Sequence, residues 1–167
     1  MPMMRLALPP SQTMNEKNKL SLSVQFADER LSDTITRPHI RRWVKAAQLA
    51  PAELTIRFVN EQEGRLLNHD YRGKDYATNV LTFSYNESTD IDDDIVRADI
   101  VLCSDVVLRE AKEQHRSVED HVAHLIVHGV LHAQGYDHES DEEAAEMENF
   151  ETEILAKLGI PDPYQTD

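Results

Sequence analysis

Eleven residues, HGVLHAQGYDH from His128 to His138, hold three of the chain's eight histidines and two of its five glycines. On a helix, imidazoles four residues apart stand almost one above the other, so His128 and His132 can offer nitrogens to one cation at about 2.0–2.1 Å. Gly135 follows three residues later. It has the backbone freedom to stop the helix in a left-handed conformation and turn the chain back, so that His138 reaches the same ion. The spacing therefore predicts a zinc site of His128, His132 and His138 with one coordination position left open. All-imidazole ligation favours a single Zn2+, and nickel, cobalt or copper would also bind such a set. Three neutral ligands leave the metal acidic enough to bring a bound water to a pKa of about 7, which is hydrolytic chemistry.

The same spacing occurs in the metzincin proteases, with one exception. Where the proteases place a glutamate base directly after the first histidine, this chain has Gly129. Peptide hydrolysis is therefore disfavoured. Two further histidines, His121 and His124, lie on the same helix face, and roles in packing or in hydrogen bonding to the ligands are expected for them.

These histidines need a helix to hold them. VEDHVAHLIVHGVLHAQ is apolar nearly all round, which predicts a buried helix, with Ser117 and Asp120 at capping-box spacing before it. Ser140 and Glu143 repeat that spacing ahead of a last helix, on which Ala144, Met147, Phe150, Ile154 and Leu158 form one stripe ended by Gly159 and Pro161. Upstream, LSLSVQF, ELTIRFV, VLTFSY and IVRADIVLC read as four strands. Thr36 and Pro38 start a helix with Ile40, Trp43, Val44 and Ala47 inward, a short helix runs around QEGRLLNHDY, and Ser104 is expected to cap a helix to about Gln114. YRGKDYATN reads as a turn and NESTDIDDD as an acidic loop. The expectation is a single α+β domain: a small, mainly four-stranded mixed sheet with about five helices, one a metzincin-like zinc helix.

Composition agrees with one domain. The chain has 167 residues, 40% hydrophobic and 29% charged, enough to bury a core. Residues 1–19 are expected to be a mobile leader without a secretory apolar region, and residues 20–167 the domain. No stretch approaches the roughly 18 apolar residues of a membrane helix, so a cytoplasmic protein is expected. Cys103 is the only cysteine, which excludes intramolecular disulfides and multi-cysteine zinc sites; it reads as a core residue. The net charge of −14 is uneven, with ten acidic residues and one lysine from Glu139 onward. Basic residues cluster at Arg37, Arg41, Arg42 and Lys45, and at Arg65, Arg72 and Lys74, so a polyanion can be met locally.

HGVLHAQGYDH, with YRGKDYATNVLTF and ADIVLC upstream, resembles the YbeY family of bacterial endoribonucleases across residues 54–164, including the acidic last helix and the DPY ending. The resemblance implies zinc on His128, His132 and His138, a functional arginine at Arg72, and single-strand-specific RNA cleavage. It further implies rRNA 3′-end processing, ribosome quality control, and partners in rRNA and the small ribosomal subunit with its proteins, with no DNA or membrane partner. Ala98 departs from the family's usual glycine. Arg72 suits a phosphate because its planar fork pairs with two oxygens, and Lys74 adds phosphate attraction. Asp137 and Glu139 flank His138 as alternatives for a base or for orienting a ligand. A non-catalytic ribosome-assembly factor with a structural metal is the competing reading, against which the open coordination position argues.

Overall fold

A computed structural model of the chain describes residues 19–85, 94–137 and 139–164. The acidic stretch falls mostly in 86–93 and the expected leader in 1–18, both outside the described residues, as is His138. The described elements run β1 (Leu20–Phe26), α1 (Arg37–Ala47), β2 (Ala52–Val59), α2 (Glu61–Arg72), β3 (Val80–Ser84), β4 (Val96–Cys103), α3 (Ser104–Glu113), α4 (Val118–Ala133) and α5 (Asp141–Lys157). This is a single α+β domain, as its strand and helix patterns predict.

The sheet order is β1-β2-β4-β3. β1, β2 and β4 are parallel, while β3 lies antiparallel to β4 at one edge. Side chains alternate across a strand, so β2, β3 and β4 feed two cores while β1 contributes to one. On one face Leu54, Ile56 and Phe58 of β2 register beside Ala98, Ile100 and Leu102 of β4. They join Ile40, Trp43 and Val44 of α1, the apolar side chains of α4, and Met147, Ile154 and Leu155 of α5 in the main core. On the other face Val59, Leu81, Val101, Cys103 and Val106 form a smaller core, with Leu67 and Phe83 against it. Cys103 is buried there, as its apolar context indicates. Ala98 is buried too, and its extra methyl leaves the β4 register unbroken.

The caps follow the sequence with one correction. Thr36, Ser117 and Ser140 accept from the backbone N–H of His39, Asp120 and Glu143. Ser104 does not cap α3. β4 runs straight into that helix, so Cys103 occupies the cap position, and Ser104 is already its first helical residue, with a buried hydroxyl. The neighbouring Asp105 instead reaches the start of α2, accepting from the Glu61 N–H at 2.7 Å, and takes Arg30 at 2.8 Å. No helix among the described residues is long and apolar enough to cross a membrane.

Candidate active site

Helix α4 lies across the sheet and is buried on most of its surface because its sequence is apolar on most sides. Gly129 sits tight against the sheet. A methyl added there would stand 2.9 Å from Ile100 Cγ2 and 3.3 Å from Thr82 Oγ1. Ile100 is fully buried and branched at Cβ, so it has little freedom to yield. The position that carries the base in metzincin proteases is therefore pressed against the sheet, with no room for a carboxylate.

His128 and His132 emerge from this helix with parallel rings, 6° apart in plane and 6.4 Å between centroids. The Nδ1–H of His128 donates to Glu151 Oε2 at 2.8 Å, and that of His132 donates to the Tyr136 carbonyl at 3.0 Å. Neither acceptor can donate, so both rings are fixed as the tautomer whose basic nitrogen is Nε2. Gly135 makes the second bond possible. At φ 105° it ends the helix, and the returning chain brings the Tyr136 carbonyl over His132. A neutral imidazole tied down through Nδ1 is the form in which a histidine binds a transition metal, and a carboxylate behind it raises its basicity. The pair therefore fits a divalent ion of the zinc type. Among the described residues no three His, Cys, Asp or Glu side chains converge as a cage; the third ligand expected, His138, lies outside them.

Both rings line a cavity of about 740 Å³ bounded by β3, Tyr71, Arg72, Asp137 and Glu139. Arg72 is the last residue of α2, and Gly73, left-handed at φ 69°, ends the helix directly after it. The structure thus brings together three of the four expected site residues, although they come from segments 56 residues apart at His128 and Arg72. Asp137 and Glu139 line the same cavity. Arg65 does not join them, donating from Nε and Nη2 to the two carboxylate oxygens of Asp75 at 2.7 and 2.8 Å.

Behind the pair runs a polar chain with Glu151 and His121 buried at its centre. Glu151 of α5 is fully buried, and its carboxylate accepts from His128, from His124 Nε2 at 2.9 Å and from the Tyr164 hydroxyl at 2.6 Å. Burial pushes the Glu151 carboxyl up, but the bonds from His124 and His128 outweigh it and bring it down to about 2. Arg116 Nη1 reaches Nδ1 of His121 at 3.2 Å and of His124 at 3.4 Å. His121 Nε2 in turn meets Glu110 Oε1 at 2.9 Å, which also accepts from Asn79 at 3.0 Å. Burial pulls the Arg116 guanidinium below its ordinary range and keeps His121 neutral.

A model of the family described as Endoribonuclease YbeY matches residues 12–159. The chain belongs to that family. Endoribonuclease YbeY of Janthinobacterium sp. (strain Marseille) is 67% identical over 151 residues, 90% of this chain and 98% of that one. The protein of the same name from Herminiimonas arsenicoxydans is 64% identical over 152 residues, 89% and 97% of the two chains. The fold resembles a solution structure from Thermotoga maritima with a TM-score of 0.51 at 23% identity, covering 87% of this chain and 97% of that one.

Glu151, Glu110, Arg116 and Tyr164 escape the sequence reading. Glu151 had a detectable signal: it stands four residues after Met147 and three before Ile154, a carboxylate in the middle of an apolar stripe. A charge at such a position needs a buried partner, and the histidine helix is a source of one.

Proposed function

We propose that the protein is a metal-dependent endoribonuclease that cleaves single-stranded RNA, with rRNA 3′-end processing at the small ribosomal subunit in the cytoplasm as its setting. The observation that carries the reading is the convergence of His128, His132 and Arg72 on one cavity, in a chain of the YbeY family. In this reading His128, His132 and His138 hold one zinc ion. When bound, the ion supplies Lewis acidity toward water and phosphate oxygen.

The chain's own residues do the rest. Glu151 and the Tyr136 carbonyl orient the two rings before any ligand arrives, so little reorganisation remains at the moment of reaction. Arg72 binds a non-bridging phosphate oxygen through its fork and offsets the charge that grows there as the phosphodiester is attacked. Asp137 and Glu139, which line the same cavity, serve to take a proton from the attacking oxygen or to give one to the leaving oxygen. Gly129 argues against peptide hydrolysis, because the proteases' base has no space at that position.

The test compares metal-loaded wild-type protein with His128→Ala and Arg72→Ala on a single-stranded RNA and on its duplex. Cutting of the single strand that disappears in His128→Ala and falls by about 100-fold in Arg72→Ala supports the reading, the scale being that of a lost donor to transition-state charge. Equal residual cutting by all three proteins overturns it.

A further inference from the structure

The histidine cavity has a second wall that the chemistry above does not use. Tyr71, at the end of α2, is 68% exposed although its ring lies 4.6 Å from that of Phe83, tilted by 56°. Tyr85, two residues after Phe83 and hence on the same side of the strand, is 46% exposed. Its hydroxyl donates to Asp99 Oδ2 at 2.7 Å, which fixes the ring's direction. All three rings line the cavity that His128, His132 and Arg72 line. Thr82 lies on the other side of β3, against α4. The cavity thus wraps the edge of β3, with imidazoles on one side and aromatic rings on the other.

The backbone adds polar groups along that edge. Asn79 accepts from Cys103 and Tyr85 donates to Arg97, so residues 79, 81, 83 and 85 are those bonded to β4. In an antiparallel ladder the alternate residues face away, so Val80 and Thr82 turn amide and carbonyl toward an edge that no strand of the described residues covers.

Exposed rings beside a guanidinium and a polar strand edge suit a flat, polar-rimmed, π-faced ligand. A nucleobase has those properties. A formal charge of −14 gives little general attraction for a polyanion, so short-range contacts must supply affinity. We propose that Tyr71, supported by Phe83 and Tyr85, forms a stacking site for an unpaired nucleobase of the RNA whose phosphate reaches Arg72 and the histidine pair. The inference deepens the endoribonuclease reading and rests on it for the substrate class. It also gives single-strand selectivity a physical origin: a base inside a duplex is already stacked and paired and has no face to offer the rings.

The test measures binding by fluorescence anisotropy of full-length, metal-loaded protein to a short cleavage-resistant 2′-O-methyl phosphorothioate RNA and to the same strand made abasic. Wild type is expected to prefer the base-bearing strand by about tenfold, the scale of one base stacked on an aromatic ring. Tyr71→Leu should abolish that preference, Tyr71→Trp should retain it, and Tyr76→Leu, exposed but off the cavity, should leave it unchanged. Thermal melting checks that each variant is folded. A preference that survives Tyr71→Leu, or its absence in wild type, overturns the stacking site even if His128-dependent cleavage of natural RNA is intact. A Tyr71-dependent preference without any His128-dependent cleavage upholds the stacking site and removes the nuclease reading instead.

Discussion

Helix α4 carries four histidines on one face, and its two halves use them oppositely. In the first half, His121 and His124 each accept at Nδ1 from Arg116 and turn Nε2 to a carboxylate, so both nitrogens of each ring are consumed inside the protein. In the second half, His128 and His132 donate from Nδ1, to Glu151 and to a backbone carbonyl, which makes Nε2 the basic atom. Exposure follows the same gradient, with side chains at 3%, 12% and 24% for His121, His124 and His128. Spacing gives all four the same opportunity to bind a metal. What separates them is the part Nδ1 plays, facing a guanidinium donor in the first half and a carboxylate or carbonyl acceptor in the second.

Breaking either half should give different losses. His128→Ala or His132→Ala removes a ligand of the proposed metal site, and metal analysis of the purified protein should show affinity falling by more than the roughly 100-fold that loss of an outer partner can cost. His121→Ala should leave bound metal nearly unchanged; equal losses from the two halves would end the distinction between them. Glu151→Gln sits at the junction. It keeps the shape but removes the charge that three donors share, and metal affinity should fall by about 10–100-fold. Gly129→Ala tests the spacing between helix and sheet, and thermal or denaturant unfolding should show about 1–3 kcal/mol of lost stability from the added methyl. The smallest effect concerns pH. His121 is buried neutral, its pKa pulled below the ordinary value of 6.5 chiefly by burial. Protonation then favours the unfolded chain, so this stabilisation is complete above pH 6.5 and is lost as pH falls below it. Denaturant midpoints of metal-free protein at pH 8 and pH 5.5 should differ less in His121→Leu than in wild type.

Much of the fold can be read from the chain because its local and tertiary preferences agree. Strand alternation, the Thr36, Ser117 and Ser140 caps and the left-handed Gly135 all declare themselves in sequence and recur in the structure. Ser104 misleads, since a residue type favoured at helix starts sits here one position too late, after a strand that needs no connecting loop. The histidine pair is legible because helical spacing is itself the signal. The polar chain behind it is not, because Glu110, Arg116, Glu151 and Tyr164 belong to separate segments and meet only through packing. Nor can spacing reveal that the vacancy at Gly129 is a steric requirement. That follows only when Ile100 is found beneath it.

The bond from the Tyr164 hydroxyl to Glu151 has a bearing on biosynthesis. Translation makes α4 before α5 and Tyr164, so a growing chain already owns its histidines while the carboxylate that steers two of them, and the phenol that braces that carboxylate, are still unmade. The histidine rings are therefore made before the groups that orient them, and a chain that has reached only the end of α4 holds the pair without its bracing.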